Sequence, residues 1–215
     1  MQKVLNPDLH PVAMEGLDEI ASDIESQLNE KEEVREIALK SSRNIVRLCG
    51  MGVRAMHLGN DPAEVMATAM DELQKLVGIT RDFPDILYSG IVESAMQEYV
   101  EVKILYTYTQ GDKIPSHKAL GVTPEAYILG VSDVIGEIRR LALDNIRKGY
   151  VEGASKHLEQ MELLYDFLMN FNYPSSMVAV RRKQDIARGI LEKTRGDVTN
   201  AIRSHSLEKM LKKLE

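Results

Sequence analysis

The sequence predicts an all-α fold, a single domain over residues 1–215 built as a bundle of seven helices. Apolar residues recur at three- and four-residue spacing along nearly the whole chain, which is the signature of amphipathic helices. No stretch sustains strand-type alternation between turn signals. The boundaries are punctuated by proline- and glycine-containing segments, and 44% hydrophobic residues over 215 positions are enough for one sizeable core.

Taken in order, the first helix is expected at about 12–28 and the second at about 31–58, where Gly59 offers a stop. "NDPAE" starts the third, at about 61–77: Asp61 is suited to the N-cap, Pro62 to the first helical position and Glu64 to the capping box, with Gly78 as its stop. "DFPD" opens the fourth, about 84–109. "GVTPEAY" repeats the capping device with Thr123 and Pro124 and begins the fifth, about 124–148, closed by Gly149. The sixth follows at about 152–171. "NYPSS" opens the seventh at about 175–204, and a short helical tail continues from about 206. Connections other than "QGDKIPSHKALG" are short, so neighbouring helices should pack largely antiparallel.

Several classes fall away. No apolar run approaches the ~20 residues of a membrane span. The N-terminal "MQKVLNPDLHPVAMEGLDEI" lacks the apolar core of a secretory signal. One cysteine, Cys49, builds neither a disulfide framework nor a cysteine-rich zinc site, which fits a reducing, cytoplasmic setting. G-x-S-x-G, H-E-x-x-H and phosphate-loop motifs are all absent, and the five histidines form no cluster along the chain. The formal net charge of −6 conceals a polarity. Residues 1–138 carry 12 Lys and Arg against 23 Asp and Glu, whereas residues 139–215 carry 15 against 10. Such a chain can present a basic surface despite its overall sign.

Two glutamates interrupt the apolar stretch "MQEYVEVKILY". Glu98 and Glu101 lie three apart and share a helix face, as do Asp133 and Glu137, four apart in "YILGVSDVIGEIRR". Packed antiparallel, these two helices would bring three or four carboxylates together inside the bundle, with Gly130 and Gly136 permitting a close approach. Carboxylates so grouped repel and raise one another's pKa unless a cation lies between them. The alternative is solvated glutamates, with Asp133 or Glu137 paired to Arg139, Arg140 or another helix. Without a Glu-x-x-His pair the set does not resemble a di-iron site, and an all-oxygen set suits Mg²⁺, with Mn²⁺ as the second choice.

Cations are organised too. On a helical wheel of roughly 100° per residue, Arg43, Arg47, Arg54 and His57 fall within an arc of roughly 80°, opposite Ile45, Leu48, Cys49 and Met56. Arginine's planar fork suits phosphate, although a solvated face with intersubunit salt bridges fits the same pattern. A second cluster, "RRKQDIARGILEKTRG", holds Arg181, Arg182, Lys183 and Arg188. With Arg139 and Arg140 these form the candidate RNA contacts. Neither basic helix has interleaved aromatics for base stacking, so backbone contact is the expectation.

The segments "QEYVE" (97–101), "GVTPEAYILGVSDVIGEIRR" (121–140), "RRKQDIARGILEKTRG" (181–196) and, more loosely, "SSRNIVRLCGMGVRAMHLG" resemble the translin family, and within it the Trax-like catalytic branch with its archaeal relatives. The resemblance covers most of the chain from about residue 40. It implies a seven-helix fold assembling into a hollow homo-oligomeric shell of eight subunits. It also implies binding of short single-stranded or duplex RNA, with single-stranded DNA as a further ligand, and Mg²⁺-dependent endoribonuclease activity. The catalytic acids it implies are Glu98, Glu101 and Asp133. Glu137 is acidic in both branches, so a ligand role and a structural role stay open for it. Metal-assisted hydrolysis would leave 5′-phosphate and 3′-hydroxyl ends. Two other readings stand beside this one: a translin-type RNA- or DNA-binding oligomer without turnover, and a purely structural helical scaffold. The scaffold leaves the grouped acids and the arginine stripe unexplained.

Overall fold

A computed structural model describes residues 16–213, all of whose regular structure is helical. The helices are α1 (Leu17–His57), α2 (Ala63–Thr80), α3 (Pro84–Leu87), α4 (Gly90–Gln110), α5 (His117–Leu120), α6 (Pro124–Arg147), α7 (Val151–Met169) and α8 (Val180–Leu211). Six are long, and α3 and α5 are single turns.

The all-α class holds, and the helix count needs correction. The two helices expected up to residue 58 are one continuous α1 of 41 residues, because "LNEKEE" contains neither glycine nor proline to stop it. The expected start at residues 12–15 lies outside the described residues. "DFPD" begins only one turn. Ser89 then takes an extended backbone (ψ 159) and α4 starts anew at Gly90. The seventh expected helix begins later, at Val180, because a turn from Pro174 to Met177 comes first. It then runs through the expected tail without a break.

Thr123 caps α6 as expected, accepting a hydrogen bond from the Ala126 N–H at 3.2 Å with Pro124 in the first turn. Asp61 accepts from the Ala63 N–H at 3.0 Å. Gly149 follows α6 with φ +76, the left-handed conformation that ends helices. Gly78 is no stop, and α2 runs past it to Thr80.

Two layers meet at a seam. α1, α2 and α4 pack together on one side, α6, α7 and α8 on the other, and α4 against α6 joins them. Apolar residues therefore cover most of α4: Val92, Ala95, Met96, Tyr99, Val100, Val102, Ile104 and Leu105 are all buried. Two glycines let the helices flanking α4 approach closely. A Cβ on Gly52 of α1 would lie 2.9 Å from Val102 Cγ2, and one on Gly130 of α6 would lie 2.6 Å from the Gln97 carbonyl oxygen. Gly136, expected to act likewise, faces open space. Residues 16–30 at the start of α1 are exposed throughout and project beyond the two layers.

Candidate functional site

Close packing on both sides of α4 decides the surroundings of its two glutamates. Glu98 and Glu101 emerge from the seam between the layers, near Asp133 and Glu137 of α6. Burial, followed by the charge of Asp133, raises the pKa of Glu98. Burial, then Glu98, Asp133 and Glu137 in turn, pushes Glu101 up to about 8. The four acids expected to form a group are thus within electrostatic reach of one another. Their influence extends to Cys49, whose thiol is driven to about 12 by burial and then by Glu98 and Glu101. A pKa that high makes the thiol inert, in keeping with a packing role.

The acids do not converge freely. Asp133 accepts from Lys183 Nζ of α8 at 2.5 Å on one oxygen and from Gln97 Nε2 at 2.6 Å on the other. Glu137 accepts from His57 Nε2 at 2.5 Å. With that N–H directed to a carboxylate, the other ring nitrogen of His57 is left buried without a partner. Among the described residues, no three His, Cys, Asp or Glu side chains stand ready to hold a metal ion as they are oriented. The chemistry nonetheless fits a hard divalent cation. Burial and the neighbouring carboxylates raise the proton affinity of Glu98 and Glu101, while Asp133 and Glu137 are already held by a positive or N–H group.

An open pocket of about 680 Å³ leads to this group, lined among others by Arg54, His57, Glu98, Glu101, Glu137, Arg140, Asp144 and Arg147. Its rim is cationic and its floor acidic. A phosphodiester needs that pairing: arginines to hold phosphate, and acids able to hold a cation beside it.

The other expected cations divide. Arg43, Arg47 and Arg54 are exposed on α1 as the wheel places them, and Arg47 donates to Asn44 Oδ1 of its own helix at 2.8 Å. His57 is a correction to that stripe. Its side chain is only 4% exposed, because the last turn of α1 meets Glu137 there. Lys183 likewise lies among the acids and not on an outer basic face. Arg139 is tied to Thr194 at 2.7 Å and to Asp197 at 2.9 Å, which fastens α6 to α8. Arg188 donates to the Tyr165 hydroxyl at 3.1 Å. Arg181 contacts Asn172 at 3.1 Å but remains exposed, as do Arg182 and Arg140.

Sequence reasoning missed Asp144 and Arg147. Their signal was present: Asp133, Glu137, Arg140, Asp144 and Arg147 recur at alternating four- and three-residue steps, a polar stripe down α6.

A family model, the Translin family, matches residues 30–195. The chain belongs to the translin family. An uncharacterised protein of Methanocaldococcus jannaschii, MJ0175, is 40% identical over 192 residues, covering 87% of this chain and 85% of its own. The structure of AfC3PO in complex with duplex RNA matches with a TM-score of 0.78 at 30% identity, over 86% of this chain and 97% of that one. Apo-NeC3PO, at 23% identity and a TM-score of 0.67 over 92% and 99%, shares the fold. Among the described residues of this translin-family chain, no helix is long and apolar enough to cross a membrane.

Proposed function

We propose that this translin-family protein is a metal-dependent endoribonuclease of the Trax-like branch, binding short RNA inside a homo-oligomer. The observation that carries the reading is the acid floor of the pocket, where Glu98, Glu101 and Glu137 lie beneath Arg54, Arg140 and Arg147 and the charges of Glu98, Asp133 and Glu137 all bear on Glu101. The likeness to AfC3PO, which binds duplex RNA, supports the substrate class. The arginines hold phosphates, and the four acids would hold Mg²⁺ or Mn²⁺. When bound, such an ion polarises the scissile phosphate and makes water a stronger nucleophile. Burial and then its neighbours' charge keep Glu101 protonated at neutral pH, and a bound ion would take the place of that proton.

Assembly follows from exposed apolar residues. Leu17, Ile20, Ile24 and Leu28 recur at three and four residues along the projecting part of α1, and Ile202, Leu207, Met210 and Leu211 are exposed on α8. Bare apolar stripes of this kind ask for partner surfaces, and an eight-subunit shell would cover them.

The test is incubation of purified protein with labelled short RNA in Mg²⁺ or in EDTA. We expect Mg²⁺-dependent products with 5′-phosphate ends, lost in Asp133→Asn and in Glu98→Gln/Glu101→Gln. Cleavage at the wild-type rate by the triple amide variant would refute the site. One observation favours a second reading, an RNA-binding oligomer without turnover: both oxygens of Asp133 are already occupied. That reading expects tight RNA binding with no product in either condition.

A further inference from the structure

Lys183 stands apart from the other basic residues of α8. Arg181 and Arg182 beside it are exposed, while the Lys183 side chain turns inward and is 26% exposed, equal to its partner Asp133. Nζ lies 2.5 Å from Asp133 Oδ1, and Gln97 Nε2 holds the other carboxylate oxygen at 2.6 Å. Asp133 thus has an N–H donor on each oxygen, and the N–H on Oδ1 belongs to a full positive charge. Lys183 also acts beyond its direct partner: its field favours the ionised forms of Glu98 and Glu101, opposing the acids that surround them. Arg54, Arg140 and Arg147 line the pocket more peripherally, and Arg140 comes no nearer to Glu137 than 4.0 Å.

A lysine ammonium is a compact point charge on a flexible four-carbon stem. It can therefore occupy a cation's place among carboxylates and leave it without moving the helix that carries it. Gln97 differs, since it is a neutral amide beside Glu98 and takes no charge with it when it turns.

We propose that Lys183 is a built-in counter-ion of the acid cluster, holding Asp133 until a divalent cation displaces it. The proposal rests on the metal site of the preceding section. It adds that the apparent affinity for the ion is lowered by a competitor within the chain. The released ammonium would then remain close to the acid cluster, free to meet a phosphate of an RNA bound there. Occupation of the site by the metal would thereby free a cation for the substrate.

The test is Mn²⁺ binding, read from the loss of the free-ion electron paramagnetic resonance signal, on the full-length protein without RNA. Lys183→Met should bind Mn²⁺ at least tenfold more tightly than wild type, because the competing charge is gone. Arg182→Met, an adjacent exposed change, should leave the affinity unaltered. Lys183→Arg keeps the charge and should bind no more tightly than wild type, and it provides the comparison if the methionine variant folds only when metal is present. In EDTA the methionine variant should melt below wild type, its acids lacking their counter-ion, and added Mn²⁺ should raise its melting temperature more than it raises that of wild type. Mn²⁺ affinity equal to or weaker than wild type in Lys183→Met, with wild type binding measurably, would overturn the counter-ion role and leave the metal site standing. Absence of Mn²⁺ binding in wild type and every variant would remove the metal site and this role together.

Discussion

Glu101→Gln removes the proton site that the fold distorts most. In the folded protein that carboxyl titrates at about 8, against an ordinary value of 4.5. The sign follows from proton counting. Between these two values the folded state keeps a proton that the unfolded chain has lost, so stability falls as pH rises through the window. Below 4.5 both states are protonated and the stability is fully present; above 8 both are ionised and it is gone. Each pH unit is worth about 1.4 kcal/mol, so the loss reaches about 3 kcal/mol at pH 7 and about 5 kcal/mol above pH 8.5. Glutamine imitates the protonated acid and does not titrate. The difference in unfolding free energy between Glu101→Gln and wild type should therefore be near zero at pH 4.5 and grow in the variant's favour with pH. Urea unfolding followed by circular dichroism, in EDTA from pH 4.5 to 9, measures that difference directly. Titrations of groups remote from Glu101 cancel in it. Saturating Mg²⁺ should shrink or invert the gap, because the ion binds the wild-type carboxylate in the native state alone. A difference that stays flat across the pH range in EDTA would refute the burial of Glu101 among like charges, and with it the electrostatic case for a cation site.

Other perturbations address the remaining links. Gly130→Val should destabilise the protein by roughly 1–3 kcal/mol through overpacking, since even a Cβ there meets the Gln97 carbonyl oxygen at 2.6 Å; wild-type stability in thermal melts would contradict the close approach of α4 and α6. Changing Arg43, Arg47 and Arg54 together to Glu should weaken short-RNA binding by orders of magnitude. It should also make the slope of log affinity against log salt shallower by about 2–3, and an unchanged slope would return the stripe to a solvated face. Ile20→Lys with Ile24→Lys, on the projecting part of α1 where both side chains are exposed, should reduce the assembly's mass in light scattering without lowering helicity. A monomeric wild type at micromolar concentration would remove the shell.

Legibility in the sequence followed the range of the interactions that decide each feature. Local chemistry was readable. Thr123 and Pro124 start α6, and Gly149 ends it, because capping depends on a few neighbouring residues. The pairing of Glu98 and Glu101 with Asp133 was readable too, since two amphipathic helices with acids on their inner faces have few ways to pack. What escaped was set by contacts across long separations. His57 falls on the arginine arc of a wheel, yet the wheel knows nothing of Glu137, 80 residues away, which turns the ring inward. Lys183 sits in a run that reads as a phosphate-binding face, and only the seating of α8 against α6 shows which of those side chains points to Asp133. The fusion at residues 28–31 is the converse case. A run of polar residues looks like a joint, but helix termination requires a breaker, and "LNEKEE" has none.

The same geometry explains how a chain of net charge −6 can suit a polyanion. Eight of its acids fall on residues 18–36, in the first half of α1, away from the pocket. Of the acids that line the pocket, Glu137 is engaged by His57 and Asp144 by Arg147, and Asp133 beside them is held by Lys183. Arg54, Arg140 and Arg147 stand above them. An approaching phosphate backbone therefore meets the arginines first, and it meets uncompensated negative charge only at the depth where a divalent cation would lie. Without that cation, each added ionised acid works against the substrate. With it, the same acids would fix the position of the one charge that the proposed cleavage needs, so metal and RNA should bind cooperatively. RNA affinity measured with Ca²⁺ and with EDTA reads that coupling, and equal affinities in the two conditions would mean that the acids and the arginines do not serve one ligand.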